Sequence, residues 1–340
     1  MKNFNKTVLI TGSSGFIGFH LSKLLLDEGW KVIGIDSLTN YYDVNLKKNR
    51  QSVLDQQSNF FCYNECINEK DILEKICKKH QPDVIVHLAA QAGVRFSIDN
   101  PRSYVDANLL GTFNVLEVSR MLKLKHLLVA STSSVYGANN VMPFDELQKC
   151  DTPLSFYAAT KKANELMAHS YSHLYKIPST GMRFFTVYGP WGRPDMALML
   201  FTKAILESKP IKIFNHGKML RDFTYIDDVI DAVIKLIDKP PESKKTIGTN
   251  TESYETYTTP ARILNIGNNN PIDLLKFIKI LENELDIQAI KIFEEMQPGE
   301  VEITYADIKN IQNLINYEPS TSLKTGIKNF VQWYKNFYKV

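Results

Sequence analysis

Two side chains that could together remove a proton, Tyr157 and Lys161, stand four residues apart in the segment 155–161. That spacing places both on one face of a helix. A phenol ordinarily loses its proton near a pKa of ~10, and a neighbouring ammonium favours the phenolate, so the pair can act as a general base near neutral pH. The same spacing also occurs on solvated helix faces, so its meaning depends on the rest of the chain.

A cluster of hydroxyls supplies a second chemical element. The apolar segment 126–131 predicts a strand, and it runs directly into Thr132, Ser133 and Ser134. Open α/β folds bind their ligands at the carboxyl ends of such strands. A phenolate at Tyr157, with the Thr132 hydroxyl directing the same oxygen, suffices to take the proton from a secondary alcohol while hydride leaves for a nicotinamide. Hydroxyls in turns also commonly cap the backbone, so this interpretation requires a cofactor site.

A dinucleotide site is predicted near the start of the chain. The apolar segment 6–11 leads into Gly12, Gly15 and Gly18, and helical periodicity follows. Glycines at this spacing permit a tight turn whose N–H groups approach a pyrophosphate at a helix N-terminus. The next predicted strand ends on Asp36, eighteen residues beyond Gly18, where a carboxylate bonds the ribose hydroxyls and repels a 2′-phosphate. The sequence therefore predicts NAD rather than NADP.

Strands and helices alternate through the first half of the chain. Beyond those already described, the sequence predicts strands at 59–63 and 83–88 and helices at 70–79 and 103–122 and, in the second half, a helix at 271–285. Repeated βα units imply a parallel sheet with helices on both faces. We therefore predict a doubly wound Rossmann domain over residues 1–183, to which the chain returns near 225–265, and a smaller C-terminal α/β substrate domain over 184–340.

Composition limits the classes of partner and of site. The formal net charge is +3, from 40 basic and 37 acidic residues spread along the chain, which argues against nucleic-acid binding. The sequence shows neither a signal peptide nor ~18 consecutive uncharged apolar residues, so we expect a cytoplasmic protein without a membrane partner. Its four irregularly spaced cysteines predict reduced thiols and no metal site.

The order of these motifs resembles that of the extended short-chain dehydrogenase/reductase superfamily, whose members process nucleotide sugars. The resemblance covers nearly the whole chain and implies that Thr132, Tyr157 and Lys161 form the catalytic set, with Lys161 also bonding the nicotinamide ribose. It also implies a homodimer through the long helices after Ser103 and Tyr157. Besides Gly12, Gly15, Gly18 and Asp36, the predicted NAD contacts are Phe16, Ile17, Asn40, Glu65, Cys66, Leu88, Ala89, Ala90, Tyr157, Lys161 and Phe184.

Two positions after Thr132 narrow the reaction. Ser133 and Ser134 stand where similar 4,6-dehydratases carry an Asp-Glu pair and nucleotide-sugar decarboxylases carry a Glu. Elimination of water then lacks an acid and a base, whereas epimerisation needs no additional acid. Segment 180–197 resembles that of UDP-glucuronate 4-epimerases, which implies that Thr186 and Arg193 face the sugar carboxylate. An arginine fork suits a carboxylate through paired hydrogen bonds.

The second half resembles the part of these enzymes that binds the nucleotide. The resemblance implies that Arg221 binds the diphosphate, that Phe223 contacts the uracil side, and that Gln297 and Glu300 touch the diphosphate and the uridine ribose. Glu300 stands where relatives usually carry Asp. Residues 240–259 are rich in Lys, Ser, Thr and Glu without apolar periodicity, and we interpret them as a mobile surface loop rather than a site.

The predicted activity is NAD-dependent C4 epimerisation of a UDP-sugar through a 4-keto intermediate, with UDP-glucuronate as the favoured substrate. Alternatives stay open at this point. They are a 4-epimerase of another UDP-hexose such as UDP-N-acetylglucosamine, a UDP-glucuronate decarboxylase, and a non-catalytic NAD-binding regulator, since a fold alone does not imply activity.

Overall fold

The computed structural model describes residues 6–243 and 258–340. Its strands are β1 (Thr7–Thr11), β2 (Lys31–Ile35), β3 (Phe60–Tyr63), β4 (Val84–His87), β5 (His126–Thr132), β6 (Ser179–Phe184), β7 (Thr186–Tyr188), β8 (Ile211–Ile213), β9 (Leu220–Tyr225), β10 (Ala261–Ile266), β11 (Pro271–Asp273) and β12 (Lys291–Phe293). Within this part of the chain, seven of them form a sheet in the order β10-β6-β5-β4-β1-β2-β3. All of its neighbouring strands are parallel, as predicted for a doubly wound fold.

Helices cover both faces of this sheet. The α-helices of the described residues, including those of the smaller part of the fold, are α1 (Phe16–Asp27), α2 (Val44–Leu54), α3 (Lys70–His80), α4 (Phe96–Asp99), α5 (Pro101–Tyr104), α6 (Gly111–Leu122), α7 (Phe156–Tyr175), α8 (Ala197–Leu206), α9 (Ile226–Ile237), α10 (Leu274–Leu285), α11 (Lys309–Ile315) and α12 (Leu323–Tyr338). The apolar side chains of α1, α2 and α9 belong to one buried cluster, and those of α3, α6 and α7 belong to another. The sheet separates these two cores.

Strand β1 shows why the sequence forms a sheet covered on both faces. Val8, Leu9 and Ile10 are completely buried, although successive side chains of a strand point in opposite directions. Val8 and Ile10 pack into one apolar cluster, and Leu9 packs into the other. A continuous apolar run is therefore what this strand requires.

Two smaller sheets lie beyond the carboxyl edge of the main one. Strands β11, β9 and β7 form one, and β12 pairs with β8 in the other. Only Phe185 separates β7 from β6, so the chain passes directly from the main sheet into the smaller one. The described fold thus has a parallel core and a smaller α/β part, which confirms the predicted fold class.

Several elements differ from the sequence predictions. The helix predicted to begin at Pro271 begins at Leu274, because residues 271–273 pair with β9 and the Asp273 carboxylate caps the helix by accepting the N–H groups of Leu275 and Lys276. The helix predicted over 103–122 begins earlier and has a π-helical stretch, Val105–Leu110. Helices α2 and α11 were not predicted.

Most of the loop predicted at 240–259 lies outside the described residues, which omit 244–257. Among the described helices, none is long and apolar enough to cross a membrane.

Candidate active site

A cavity of about 1050 Å³ lies at the carboxyl edge of the main sheet. Residues that follow four neighbouring strands line it, namely Gly12 after β1, Asp36 after β2, Leu88 after β4 and Ser133 after β5. Residues from the smaller sheets, including Arg221, line its opposite side. The cavity therefore lies between the parallel core and the part of the chain predicted to bind the substrate.

The glycine turn at one end of the cavity has no room for side chains. Gly12 has a φ of +77°, and a Cβ there would lie 2.9 Å from the backbone nitrogen of Ala89. A Cβ on Gly18 would lie 2.1 Å from the Gly12 carbonyl oxygen. Gly15 caps α1, so the first N–H groups of that helix lie at a turn that no side chain covers. This cradle fits the pyrophosphate of a dinucleotide.

Asp36 is fixed beside the turn by two backbone groups. Its Oδ2 accepts the Ser14 N–H at 3.0 Å, and its Oδ1 accepts the Leu38 N–H at 2.9 Å. Each carboxylate oxygen keeps a lone pair for a ribose hydroxyl. These two acceptor oxygens therefore fit the adenosine ribose of NAD, and the negative charge of the carboxylate disfavours a 2′-phosphate.

The other predicted NAD contacts divide into those that line the cavity and one that does not. Residues with the predicted placement are Phe16, Ile17, Glu65, Cys66, Leu88, Ala89, Ala90 and Phe184. Asn40 is not part of the lining. Sequence reasoning missed Lys47, a buried lining residue that donates to the Thr39 carbonyl and hydroxyl oxygens at 2.8 and 2.9 Å. Its helix, α2, was not predicted, so no sequence pattern marked it.

The predicted catalytic residues meet at the centre of the cavity. Ser155 caps α7 by accepting the Ala158 N–H at 3.1 Å, which sets the start of the helix that carries Tyr157 and Lys161. Thr132, the last residue of β5, lines the same cavity as Tyr157, and its side chain acts to lower the pKa of the Tyr157 phenol. The strand end and the helix start thus bring Thr132 together with Tyr157 and Lys161, which follow it 25 and 29 residues later in the sequence.

The electrostatics of Tyr157 differ from the prediction. Burial raises the pKa of Tyr157 above its ordinary value, while the Arg193 cation and the Thr132 side chain act to lower it. Lys161 is 2% exposed, and burial lowers its pKa to about 8 against the effect of Glu165. Arg193 therefore favours the phenolate, a role that the sequence analysis assigned to Lys161 alone.

Arg193 is paired with a carboxylate that the sequence analysis did not single out. Its Nε donates to Asp195 Oδ1 at 3.1 Å and its Nη2 donates to Oδ2 at 2.5 Å. The Tyr41 hydroxyl also donates to Asp195 Oδ2, at 2.9 Å. Ser133, Ser134 and Thr186 line the same cavity. An aspartate two residues after the arginine was the available signal for this pair.

The loop that carries Arg193 is attached to the cofactor side through a buried arginine. Arg50, on α2, donates to the carbonyl oxygens of Trp191 and Gly192 at 2.5 and 3.1 Å. It also donates to the Ser14 carbonyl oxygen of the glycine turn at 3.0 Å. Arg50 therefore links the predicted pyrophosphate site to the predicted sugar site.

A second arginine pair lies at the other end of the cavity. Glu300 accepts from Arg221 Nη2 at 3.1 Å and from Arg95 Nη2 at 3.3 Å. Phe223 also lines the cavity and stacks on Phe277 with ring centroids 4.5 Å apart. Gln297 does not line the cavity, and sequence reasoning missed Arg95.

Comparison with known proteins identifies the family. The chain matches the sequence model of the NAD dependent epimerase/dehydratase family over residues 8–255. The chain belongs to this family. It is 48% identical to protein CapI of Staphylococcus aureus, over 98% of this chain and 99% of that protein, and 46% identical to the probable UDP-glucuronate 4-epimerase of Rhizobium meliloti, over 97% of each.

A solved structure from the same family is also similar to this chain. The UDP-glucuronic acid 4-epimerase of Bacillus cereus, in complex with UDP-glucuronic acid and NAD, is similar with a TM-score of 0.86 at 35% identity. The alignment covers 98% of this chain and 100% of that one. These findings confirm the family resemblance and agree with the NAD cradle described above.

Proposed function

We propose that the protein interconverts UDP-glucuronate and UDP-galacturonate by NAD-dependent epimerisation at C4, through a 4-keto intermediate. The observation that carries this proposal is the meeting of a proton-transfer pair, Tyr157 and Thr132, with Arg193 in one cavity beside the glycine turn. The names of the Rhizobium meliloti relative and the Bacillus cereus structure state the same activity for those proteins and support it.

The residues of the chain account for the proton transfers. Bound NAD would supply a reversible acceptor for the hydride at C4. Tyr157, as phenolate, takes the proton from the O4 hydroxyl, and Thr132 binds the same oxygen and holds it in line. Tyr157 returns the proton after the keto sugar has presented its opposite face. Lys161, whose pKa is about 8, keeps a positive charge at neutral pH next to this pair.

The carboxylate of the sugar makes the keto intermediate prone to decarboxylation, which an epimerase must prevent. Oxidation at C4 of a uronic acid gives a β-keto acid, which loses carbon dioxide when the breaking bond stands perpendicular to the ketone plane. We propose that Arg193, Thr186, Ser133 and Ser134 hold the carboxylate away from that alignment. An Arg193→Ala enzyme should release a larger fraction of UDP-pentose than the wild type. Equal fractions in a variant that still turns over would contradict this role.

The substrate is tested by NMR of two separate incubations without added NAD. Because the hydride is returned in each turnover, NAD should stay bound through gentle purification. We expect UDP-glucuronate to equilibrate with its galacto epimer and UDP-N-acetylglucosamine to remain unchanged. Conversion of the neutral sugar would favour the broader 4-epimerase, pentose as the main product would favour the decarboxylase, and no turnover of either would favour the regulator.

We also propose a homodimer through α6 and α7. Large apolar side chains on these two helices are exposed, including Phe113 at 41%, Leu166 at 61% and Leu174 at 63%. Leu166→Glu should therefore shift the mass in solution from dimer to monomer by light scattering. Val141→Glu, at an exposed apolar position outside both helices, is the matched control. A monomeric wild type would overturn this assembly.

The domain division and the location are also proposals. We propose a cofactor domain over 1–183, with the returning segment 225–265, and a UDP-sugar domain over 184–340. Strand β10, which lies at the edge of the main sheet, supports this return. The four cysteines are free thiols, which supports a reducing, cytoplasmic location and is tested by fractionation of cells.

A further inference from the structure

Half of the Arg193 guanidinium is occupied by protein, and half is open. A guanidinium presents two edges with parallel N–H groups, one formed by Nε and Nη2 and the other by Nη1 and Nη2. Asp195 takes the first edge with both of its oxygens. Within residues 6–243 and 258–340, Nη1 has no hydrogen-bond partner. The second edge can therefore receive another carboxylate without breaking the existing pair.

Asp195 is itself held in place by Tyr41. The Tyr41 hydroxyl donates to the carboxylate oxygen that also receives Arg193 Nη2, and the Tyr41 ring contacts Phe96 with centroids 4.8 Å apart. Burial acts to raise the pKa of Asp195, but Arg193 outweighs it and holds that pKa below its usual range. Burial, reinforced by Asp195, raises the pKa of Tyr41 to about 12. The phenol therefore remains a donor and the carboxylate an acceptor near neutral pH.

The pair changes what Arg193 contributes to recognition. A cation that faces the cavity alone would attract any anion and would be free to rotate about its own stem. Paired with Asp195, Arg193 belongs to a unit without net charge, and its guanidinium plane is fixed by two hydrogen bonds. Such a unit selects a carboxylate by direction more than by charge.

We propose that Asp195, oriented by Tyr41, is a positioning residue that fixes Arg193 so that its Nη1–Nη2 edge receives the carboxylate of the sugar. This inference rests on the proposed function and deepens it, because it attributes the protection against decarboxylation to the contacts among Tyr41, Asp195 and Arg193. Asp195 does not touch the substrate. Its effect is on the orientation of the carboxylate, and hence on how the keto intermediate partitions between the epimer and the pentose.

Removing the charge of Asp195 should affect the attraction of the substrate and its orientation differently. Asp195→Asn leaves Arg193 as an unpaired cation, so attraction for the anionic substrate persists or increases while the orientation is lost. We therefore expect KM to stay equal or fall, kcat to fall by about 10- to 100-fold as for a misplaced substrate, and the pentose fraction to rise. A merely structural role would lower the melting temperature without changing the pentose fraction.

The experiment measures kcat, KM and the pentose fraction for UDP-glucuronate in the full-length enzyme with its bound NAD. The variants are Asp195→Asn, Asp195→Glu and Tyr41→Phe, with Asp83→Asn as a matched control because Asp83, whose side chain is similarly exposed, forms an ion pair with Lys125 and is not part of the cavity lining. Asp195→Glu should restore part of kcat and lower the pentose fraction relative to Asp195→Asn. Tyr41→Phe should change both quantities in the same direction as Asp195→Asn but by less.

Two results would overturn the inference alone. One is a wild-type pentose fraction in both Asp195→Asn and Tyr41→Phe. The other is a raised KM at unchanged kcat, which would make Asp195 a contributor to binding only. If the wild-type enzyme does not convert UDP-glucuronate, the proposed function fails and this inference falls with it. Bound NAD and the melting temperature are measured for every variant to establish that it is folded, and Tyr41→Phe provides the test if Asp195→Asn does not fold.

Discussion

Two arginine–carboxylate pairs in this molecule have the same geometry and different surroundings. In both, the arginine donates through Nε and Nη2 to the two oxygens of one carboxylate, Arg183 to Glu165 and Arg193 to Asp195. The side chains of Arg183 and Glu165 are each 2% exposed, whereas those of Arg193 and Asp195 are 23% and 28% exposed. The difference lies in what covers each pair.

The Arg183–Glu165 pair is enclosed by protein on every side. Glu165 also accepts from the Ser131 hydroxyl at 2.7 Å and from Lys162 Nζ at 3.0 Å, and the Arg183 guanidinium lies 4.7 Å from the centre of the Tyr136 ring. The Arg183–Glu165 pair joins β5, β6 and α7, the elements that carry or precede the proposed catalytic residues. The enclosed Arg183–Glu165 pair thus stabilises the fold, whereas the Arg193–Asp195 pair leaves one guanidinium edge that a ligand can reach.

The largest expected effect is a loss of stability in the Glu165→Gln variant. This change leaves Arg183 as a buried cation without its counterion, and breaking a buried pair in this way costs about 3–5 kcal/mol. Chemical denaturation should show that loss in the free energy of unfolding. Asp195→Asn is the matched control and should cost much less, because its pair is partly exposed to the cavity. Equal losses in the two variants would mean that both pairs are structural.

The next effect is on activity, from Arg193→Met, which keeps much of the length of the side chain without its charge. Hydrogen bonds to a charged group contribute about 1.5–3 kcal/mol, so kcat/KM for UDP-glucuronate should fall by about 10- to 100-fold. The free energy of unfolding should change little. If Arg193→Met destabilises the protein as much as Glu165→Gln does, the open pair is not reserved for the ligand.

The two pairs should also act on opposite limbs of the pH profile. Tyr157 must lose its proton and Lys161 must keep its proton for the pair to act. The pKa of Tyr157 is raised above its ordinary value and that of Lys161 is lowered to about 8, so kcat/KM should rise with pH up to about 8, stay level between the two pKa values and fall above that of Tyr157. Arg193 lowers the pKa of Tyr157, so Arg193→Met should move the falling limb to higher pH. Glu165 raises the pKa of Lys161, so Glu165→Gln should move the end of the rising limb to lower pH. Profiles that move on the wrong limb would contradict these assignments.

The sequence predicted those parts of the site that depend on neighbouring residues. The glycine turn and the Tyr157–Lys161 pair are each contained in a few consecutive residues, and the parallel sheet brings Asp36 and Thr132 to the same edge. Local spacing and strand order therefore determine where most residues of the cofactor side and of the proposed catalytic set lie.

The parts that were missed depend on contacts between distant residues. Tyr41 and Asp195 are 154 positions apart, Arg50 and Trp191 are 141 apart, and Arg95 and Glu300 are 205 apart. Periodicity reports which face of an element is buried but not which side chain from another loop meets it. Likewise, the pairing of residues 271–273 with β9 overrode their apparent continuation into a helix.

The smallest expected effect comes from a third arginine–carboxylate contact, in which Glu300 joins Arg95 and Arg221. Arg95 is 50% exposed and Glu300 is 23% exposed, and pairs of this kind contribute about 1 kcal/mol or less. Glu300→Asp shortens the side chain by one methylene and should break one of the two contacts, so KM for UDP-glucuronate should change by less than about 5-fold while kcat stays constant. Because this contact lies at the end of the cavity that we propose binds the nucleotide, the pentose fraction should also stay at the wild-type value. If the pentose fraction rises as far as in Asp195→Asn, the contact of Glu300 with the two arginines also orients the sugar carboxylate. The open edge of Arg193 would then not account for that orientation by itself.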